Sequence, residues 1–79
     1  MMTQDEETIL TILAKVGKRE KSAIKPDDDL VADLGLDSPR QLQVLTDIED
    51  QLQIEIDEDD AARIVKVKDI FAYVAAKKK

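Results

Sequence analysis

The chain has 79 residues, a formal net charge of −6 and 43% apolar residues, which is enough for one small domain with one core. It contains neither Cys nor His, so disulfides, Cys/His zinc sites and Cys or His nucleophiles are excluded. No basic N-terminal stretch precedes a long apolar run, so we expect a cytoplasmic protein with no membrane insertion.

The charges are unevenly distributed along the chain. Residues 1–26 carry four acids and five bases, residues 27–60 thirteen acids and one base, and residues 61–79 one acid and six bases. A polyanionic middle segment repels phosphates, so we expect no nucleic-acid partner and favour a basic protein surface instead. The one base within this segment is Arg40.

The first part of the chain predicts a helix followed by a long loop. Thr3 and Glu6 have the spacing of a capping box, and apolar residues then recur at helical spacing, which predicts a helix over residues 4–16. We expect Gly17 to end this helix in the left-handed position. Residues 17–37 show no sustained period and predict a long loop, packed across the core by Ile24, Leu30, Leu34 and Leu36.

The second helix has the strongest periodic signal in the chain. It is predicted from Pro39 to about Leu52, where the apolar residues fall within an arc of about 160°: Leu42, Val44, Leu45, Ile48 and Leu52. Polar residues are expected to face solvent on the other side: Arg40, Gln43, Asp47 and Asp50. Ile54 and Ile56 alternate with a polar residue but have no partner strand, so they predict a tucked connector.

The C-terminal part predicts a short helix and a final longer one. The acids from Asp57 to Asp60 favour the start of a short helical turn that runs through Arg63. A last helix is expected over about residues 68–76, with three buried residues, Ile70, Phe71 and Val74. We therefore predict a single all-α domain, residues 1–79, in which three longer helices, a short third helix and an ordered first loop share one core.

Ser38 directly precedes the second helix and has two interpretations. As an N-cap it fits the following Pro39, since proline keeps the preceding residue out of the α region and is favoured at the first helical position. With Gln41 it also fits an S-x-x-Q capping box. The same helix start favours anions, so it would accommodate a phosphodiester on Ser38, with Asp37 beside it to hold a metal ion or orient an enzyme.

A long run of this sequence resembles the acyl carrier proteins. From Asp33 to Val74 it reads DLGLDSPRQLQVLTDIEDQLQIEIDEDDAARIVKVKDIFAYV. It is similar to the family's L-G-x-D-S-L motif at the second helix and to its I-E-I-x-D-E-D-A phrase before the third. The first helix and the loop sequence IKPDDDLVADLG resemble the family too, so the resemblance covers essentially the whole chain and implies a four-helix bundle of acyl-carrier-protein type.

The resemblance also implies a function for the serine. Ser38 would carry 4′-phosphopantetheine, transferred from coenzyme A by a magnesium-dependent phosphopantetheinyl transferase, and Asp37 would support that transfer. The thiol of this arm would hold an acyl group as a thioester, so the chain would be a monomeric carrier without catalytic or metal-binding residues of its own. Acyl-loading and acyl-transfer enzymes with basic surfaces would dock on the second helix, at Pro39, Arg40, Gln43, Asp47, Glu49 and Asp50.

The sequence departs from the family pattern near the serine. The family usually has leucine where this chain has Pro39, and acids are common at the positions of Arg40 and Gln43. Proline offers partner enzymes a smaller apolar contact than leucine, and Arg40 places a positive charge where the family usually has a negative one. Both differences favour a specialised carrier over the housekeeping carrier of fatty-acid synthesis. Lys66 also occupies a position where Ser or Thr often caps the last helix, so a small loss of stability is expected there.

Other functions remain open at the level of the sequence. Carriers of polyketide or aminoacyl intermediates share the serine motif, although the acidity and the residues from Ile54 to Asp60 favour an acyl carrier. A different hypothesis is a helical interaction module in which Ser38 is only a helix cap. The acidic clusters at 27–29 and 57–60 lack the ligand order of an EF-hand and are interpreted as solvated helix starts. Tyr73 is assigned to packing.

Overall fold

A computed structural model describes residues 3–78, and over this range the chain forms four α-helices. They are α1 (Gln4–Gly17), α2 (Ser38–Leu52), α3 (Glu58–Arg63) and α4 (Val67–Lys77), with a single 3-10 turn at Lys21–Ala23 in the first loop. The all-α prediction with three longer helices and a short third one is confirmed. Within the described part of the chain, the extended pairing amounts to one isolated bridge, between Asp29 and Lys66.

The predicted start of α1 is confirmed, and its predicted end is wrong by one residue. The Thr3 hydroxyl accepts the amide hydrogen of Glu6, and the Glu6 carboxylate accepts the amide hydrogen of Thr3, both at 3.1 Å. Gly17, however, is still helical, and Lys18 takes the left-handed conformation with φ 56°. Its amide donates to the Ala14 carbonyl, so Lys18 closes the helix in the place where glycine is usually found.

The first loop is packed into the core as the sequence predicts. Ile24, Leu30, Leu34 and Leu36 are between 1% and 6% exposed, as well buried as the inward residues of the helices. Because four large aliphatic side chains leave water together, burial of the loop contributes several kcal/mol to folding, at about 2 kcal/mol per side chain. The loop is thus a layer of the core.

The helices supply the rest of this core from one face each. The buried residues are Ile9, Leu10, Ile12 and Leu13 of α1, Val44, Ile48 and Leu52 of α2, Ile64 before α4, and Val67, Ile70 and Val74 of α4. Phe71, expected to be buried, packs against this cluster but remains partly exposed. Ile54 and Ile56 are also partly buried against it, which confirms the tucked connector. No helix among residues 3–78 is long and apolar enough to cross a membrane.

The first loop also satisfies the first amides of α4. The Asp28 carbonyl accepts from the Val67 amide at 3.0 Å, and the Pro26 carbonyl accepts from the Lys68 amide at 2.9 Å. The expected loss of stability at Lys66 is therefore offset, because its own side chain is not needed as a cap. The Asp69 carboxylate completes this helix start by accepting the amide hydrogens of Val65 and Lys66, at 3.0 and 2.9 Å.

These two amide hydrogen bonds hold the pKa of Asp69 below its ordinary value. A carboxyl group with a lowered pKa stabilises the folded state above the pKa of the unfolded chain. That contribution is lost as the pH falls through the pKa of the folded state. Asp69 therefore stabilises the start of α4 at neutral pH and does so less in acid.

We expect Asp69→Ala to lower the free energy of unfolding at pH 7 by about 1 kcal/mol, because two amides lose their acceptor. Urea unfolding followed by circular dichroism measures this change. The variant should also lose less stability than the wild type between pH 5 and pH 3, since it lacks the titrating carboxyl group. The matched control is Asp50→Ala, which removes an exposed carboxylate of α2. An equal loss in both variants would contradict a special role for Asp69.

Candidate functional site

The start of α2 is capped by Asp37, which corrects the prediction that Ser38 is the N-cap. Asp37 has extended backbone angles, and its Oδ1 accepts the amide hydrogen of Arg40 at 3.1 Å. The Asp37 carbonyl accepts from the Gln41 amide at 2.9 Å, which begins the helical series one residue earlier than predicted. A carboxylate is a strong cap because it also carries negative charge to the positive end of the helix dipole.

The predicted capping box between Ser38 and Gln41 is also wrong. The Gln41 side-chain amide donates to the carbonyl of Leu36 at 3.2 Å, so it ties the first turn of α2 to the preceding loop. Leu36 is itself 1% exposed, which anchors the loop next to the serine in the core. Leu36, two residues before Ser38, is therefore held both by burial of its side chain and by the hydrogen bond to its carbonyl.

Ser38 is left exposed as the first residue of α2, and capping of this helix does not require its hydroxyl. Pro39 follows at the second helical position, where the amide that proline lacks would have no partner inside the helix. An exposed primary hydroxyl at the positive end of a helix suits a phosphodiester linkage. These residues fit the attachment of a phosphate-linked arm.

The predicted docking residues of α2 differ in how free they are. Pro39, Arg40 and Asp50 are exposed. The Gln43 side-chain amide donates to Asp47 Oδ1 at 2.7 Å, so these two side chains are tied together one turn apart. Glu49 is partly buried.

Glu49 helps to hold the connector after α2. Its Oε2 accepts the amide hydrogen of Ile56 at 2.8 Å, and its side chain is only half-exposed. One of its carboxylate oxygens is thus already bonded inside the molecule. The Glu49 carboxylate is therefore less accessible than that of Asp50, because it is bonded to the packed connector.

Leu42 is 66% exposed, although its spacing predicted a place on the buried face. The face of α2 that is in fact buried is narrower, because Val44, Ile48 and Leu52 repeat every four residues and fill the contact with the core. Leu42 lies at the edge of the predicted arc and four residues after Ser38, so the two share one side of the helix. Sequence reasoning missed it as a surface residue beside the serine.

The acidic residues of the first loop serve as acceptors for backbone amides. Asp29 Oδ1 accepts from the amides of Val31 and Ala32 at 2.8 and 2.9 Å, and Asp33 Oδ2 accepts from the Asp29 amide at 2.7 Å. The two amides on Asp29 keep its pKa below the ordinary value, the bond from Ala32 being the larger cause. Among residues 3–78 no group of three or more acidic side chains is arranged to hold a metal ion.

Tyr73 joins α4 to the segment that contains α3. Its hydroxyl lies 3.0 Å from Asp60 Oδ2 and 3.2 Å from the Glu55 carbonyl. Partial burial and the neighbouring Asp60 carboxylate raise its pKa, burial being the larger cause. Its role is therefore structural, as predicted, but it acts through hydrogen bonds as well as through packing.

Known proteins match this chain over nearly its whole length. The model of a family described as "Phosphopantetheine attachment site" matches residues 7–74. An acyl carrier protein of Nitratidesulfovibrio vulgaris (strain DP4) is 36% identical over 76 residues, which are 96% of this chain and 99% of the relative. An acyl carrier protein of Streptomyces coelicolor is 37% identical over 78 residues, covering 92% of this chain and 85% of that protein.

The fold comparison gives the same result. A solved chain from Mycobacterium tuberculosis, described as an acyl carrier protein, superposes with a TM-score of 0.86 at 33% identity, covering 91% of this chain and 96% of that one. A helical domain with a phosphopantetheine attachment site is thus the class that the fold and the site define. The chain belongs to the acyl carrier protein family. It is a carrier that bears a covalent 4′-phosphopantetheine, and not an enzyme.

We expect Asp37→Ala to lower the free energy of unfolding by about 1 kcal/mol, as the loss of an N-cap does, and Ser38→Ala to lower it by less than half as much. The reason is that Asp37 accepts the amide hydrogen of Arg40 and Ser38 does not. Urea unfolding of the two single variants makes the comparison. A larger loss in Ser38→Ala would show that the serine is the cap.

Proposed function

We propose that Ser38 is the residue to which 4′-phosphopantetheine is attached. The observation that carries the proposal is that Ser38 is exposed at the first position of α2 while the neighbouring Asp37 caps the helix. Its hydroxyl can therefore form a phosphodiester without removing a structural hydrogen bond. Once bound, the arm supplies the thiol that this cysteine-free chain lacks, and that thiol holds an acyl group as a thioester.

The residues around Ser38 have separate roles in this proposal. Asp37 holds the serine at the helix start through one carboxylate oxygen and can direct its second oxygen to the magnesium ion of the transferase. Leu36 and Gln41 keep the attachment point at a constant place relative to the core. A fixed attachment point lets different partner enzymes receive the arm in the same geometry.

The partners are a phosphopantetheinyl transferase and the enzymes that load and transfer acyl groups. We propose that they dock on the exposed side of α2, through Pro39, Arg40, Gln43, Asp47 and Asp50, with a smaller contribution from Glu49. Leu42 joins this surface because it is exposed on the side that carries Ser38. The acids at the far end of α2 favour partners with basic groups there, and long-range attraction speeds their encounter.

The cargo that we propose is an acyl intermediate of fatty-acid, lipid or related biosynthesis in the cytoplasm. Support comes from the relatives, which are named acyl carrier proteins and match along nearly the whole chain. Carriage of polyketide or aminoacyl intermediates is the second candidate, since the chemistry at the serine would be identical. The presence of Pro39 and Arg40 beside the serine favours a specialised member.

We expect incubation with coenzyme A, magnesium and a broad-specificity phosphopantetheinyl transferase to add the mass of one 4′-phosphopantetheine. Intact-mass spectrometry measures the addition, and peptide mapping should locate it on Ser38. Ser38→Ala should gain no mass, whereas the matched control Ser22→Ala, which removes an exposed serine of the first loop, should gain the full arm.

Modification at another residue, or none with several transferases, would contradict the assignment of Ser38. The second result would favour a helical module without a carrier role. Against that alternative stands the capping of α2 by Asp37, because a serine retained only as a cap would be expected to accept the amide hydrogen that Asp37 accepts.

A further inference from the structure

The end of the bundle that holds Ser38 also holds the basic end of α1. The last turn of α1 packs on the segment before the serine, since a Cβ added to Gly17 would lie 3.7 Å from Leu36 Cδ2 and 3.9 Å from the Leu34 carbonyl oxygen. Lys18 and Arg19 follow directly and are exposed. Two bases that are 20 and 19 residues from Ser38 in sequence are therefore brought to the same end of the bundle.

The Arg19 side chain reaches the segment that precedes Ser38. Its Nη2 atom lies 4.0 Å from the position that a Cβ of Gly35 would take. Gly35 is three residues before Ser38, so their Cα atoms are at most about 11 Å apart. The Arg19 guanidinium thus lies along the loop that leads into the attachment site.

Arg40 lies in the first turn of α2, the helix that Ser38 begins. It is exposed, two residues after Ser38, and is the one base among residues 27–60. Within residues 3–78, neither Arg40 nor Arg19 has a carboxylate within 4 Å, although three lysines do. The acid nearest in sequence to Arg40, Asp37, turns Oδ1 to the Arg40 amide.

The exposed side of α2 therefore changes sign along its length. Arg40 and the neutral Leu42 lie near the serine, whereas Asp47 and Asp50 lie toward the other end. Ten residues of helix separate Arg40 from Asp50, which is about 15 Å at 1.5 Å per residue. This exceeds the screening length of about 8 Å at physiological salt, so a partner senses the two ends separately.

We propose that Arg40, assisted by Arg19, determines which enzymes this carrier serves, by selecting partners that present an acidic group beside the opening where the arm enters. Partners with a basic group at that place are disfavoured. The inference rests on the proposed attachment at Ser38, and it refines the expectation of uniformly basic partner surfaces. The basic groups of a cognate partner then lie about 10 to 15 Å away, opposite Asp47 and Asp50.

Weak, exposed charge pairs are suited to this selection. An exposed pair contributes at most about 1 kcal/mol, which corresponds to a change of about fivefold in an equilibrium or rate constant. Because this contribution is small, the carrier still dissociates quickly from the partner enzyme. A like-charge encounter at the same place disfavours the wrong enzyme by a similar factor, so one arginine can sort partners in both directions.

The test measures acyl loading of the arm-bearing protein by a malonyl-transferring enzyme of fatty-acid synthesis whose carrier-binding surface is basic. We expect Arg40→Glu to raise kcat/KM about fivefold at low salt, and Arg19→Glu to raise it less. At about 0.5 M salt the gain should nearly vanish, because exposed charges are then screened. Arg40→Gln should give an intermediate gain and checks that the effect follows charge.

The matched control is Lys77→Glu, which makes the same change in net charge near the C-terminal end of α4. That end is remote from Ser38, because Lys78 pairs with Asp5 at the start of α1. We expect no gain in this variant. An equal gain in Lys77→Glu, or none in Arg40→Glu, would overturn the proposal, because net charge or other contacts would then govern loading.

A reciprocal variant of the enzyme completes the test. Replacing the enzyme's basic residue that faces position 40 by Glu should reverse the order, so that the wild-type carrier is loaded faster than Arg40→Glu. If Arg40 merely paired with the phosphate of the arm, the order would not depend on the enzyme's charge, and the proposal would fail. The mass assay is independent of both results. If no 4′-phosphopantetheine is attached to Ser38, the proposed function is refuted. If the modified protein is loaded at the same rate whatever the charge at position 40, this inference alone is refuted.

Discussion

Burial of the first loop in the helical core is the constraint on which the other features of this protein depend. Four short stretches of helix surface cannot by themselves enclose a core in 79 residues, and the loop supplies four of its buried side chains: Ile24, Leu30, Leu34 and Leu36. The same loop brings the Asp28 and Pro26 carbonyls to the first amides of α4. Leu36 then fixes the place where α2 begins, two residues before Ser38. The core, the last helix and the proposed attachment site at Ser38 are thus positioned by one segment.

The large excess of acids is compatible with this fold because several of them accept backbone amide hydrogens. Asp29 and Asp33 hold the turns of the first loop, Asp37 caps α2, and Asp69 completes the start of α4. A carboxylate that accepts amide hydrogens keeps its charge at the positive end of a backbone dipole, so its mutual repulsion with other acids is partly offset. The acids left for partners are fewer than the composition suggests.

The second helix shows how one segment serves structure and function with different residues. Val44, Ile48 and Leu52 pack inward, and Glu49 holds the connector through the Ile56 amide. The exposed side carries Ser38 and Leu42, and its charge changes from positive at Arg40 to negative at Asp50. Apart from Glu49, the side chains that we propose for attachment and docking are not needed by the core, so they can vary without cost to it. This separation suits a carrier that must visit several enzymes and leave each of them quickly.

Local patterns in the sequence determined the four helices to within one or two residues and the burial of the first loop. They also revealed the motif around Ser38, because side-chain spacing and sequence motifs are properties of neighbouring residues. What they left open was decided by packing between distant segments. Asp37 replaced Ser38 as the cap and Leu42 stayed outside, since the core contact of α2 is narrower than the apolar arc. The position of Arg19 beside the loop that precedes Ser38 was likewise decided by the tertiary structure, because it follows from the contact of α1 with Leu36 and from no local pattern.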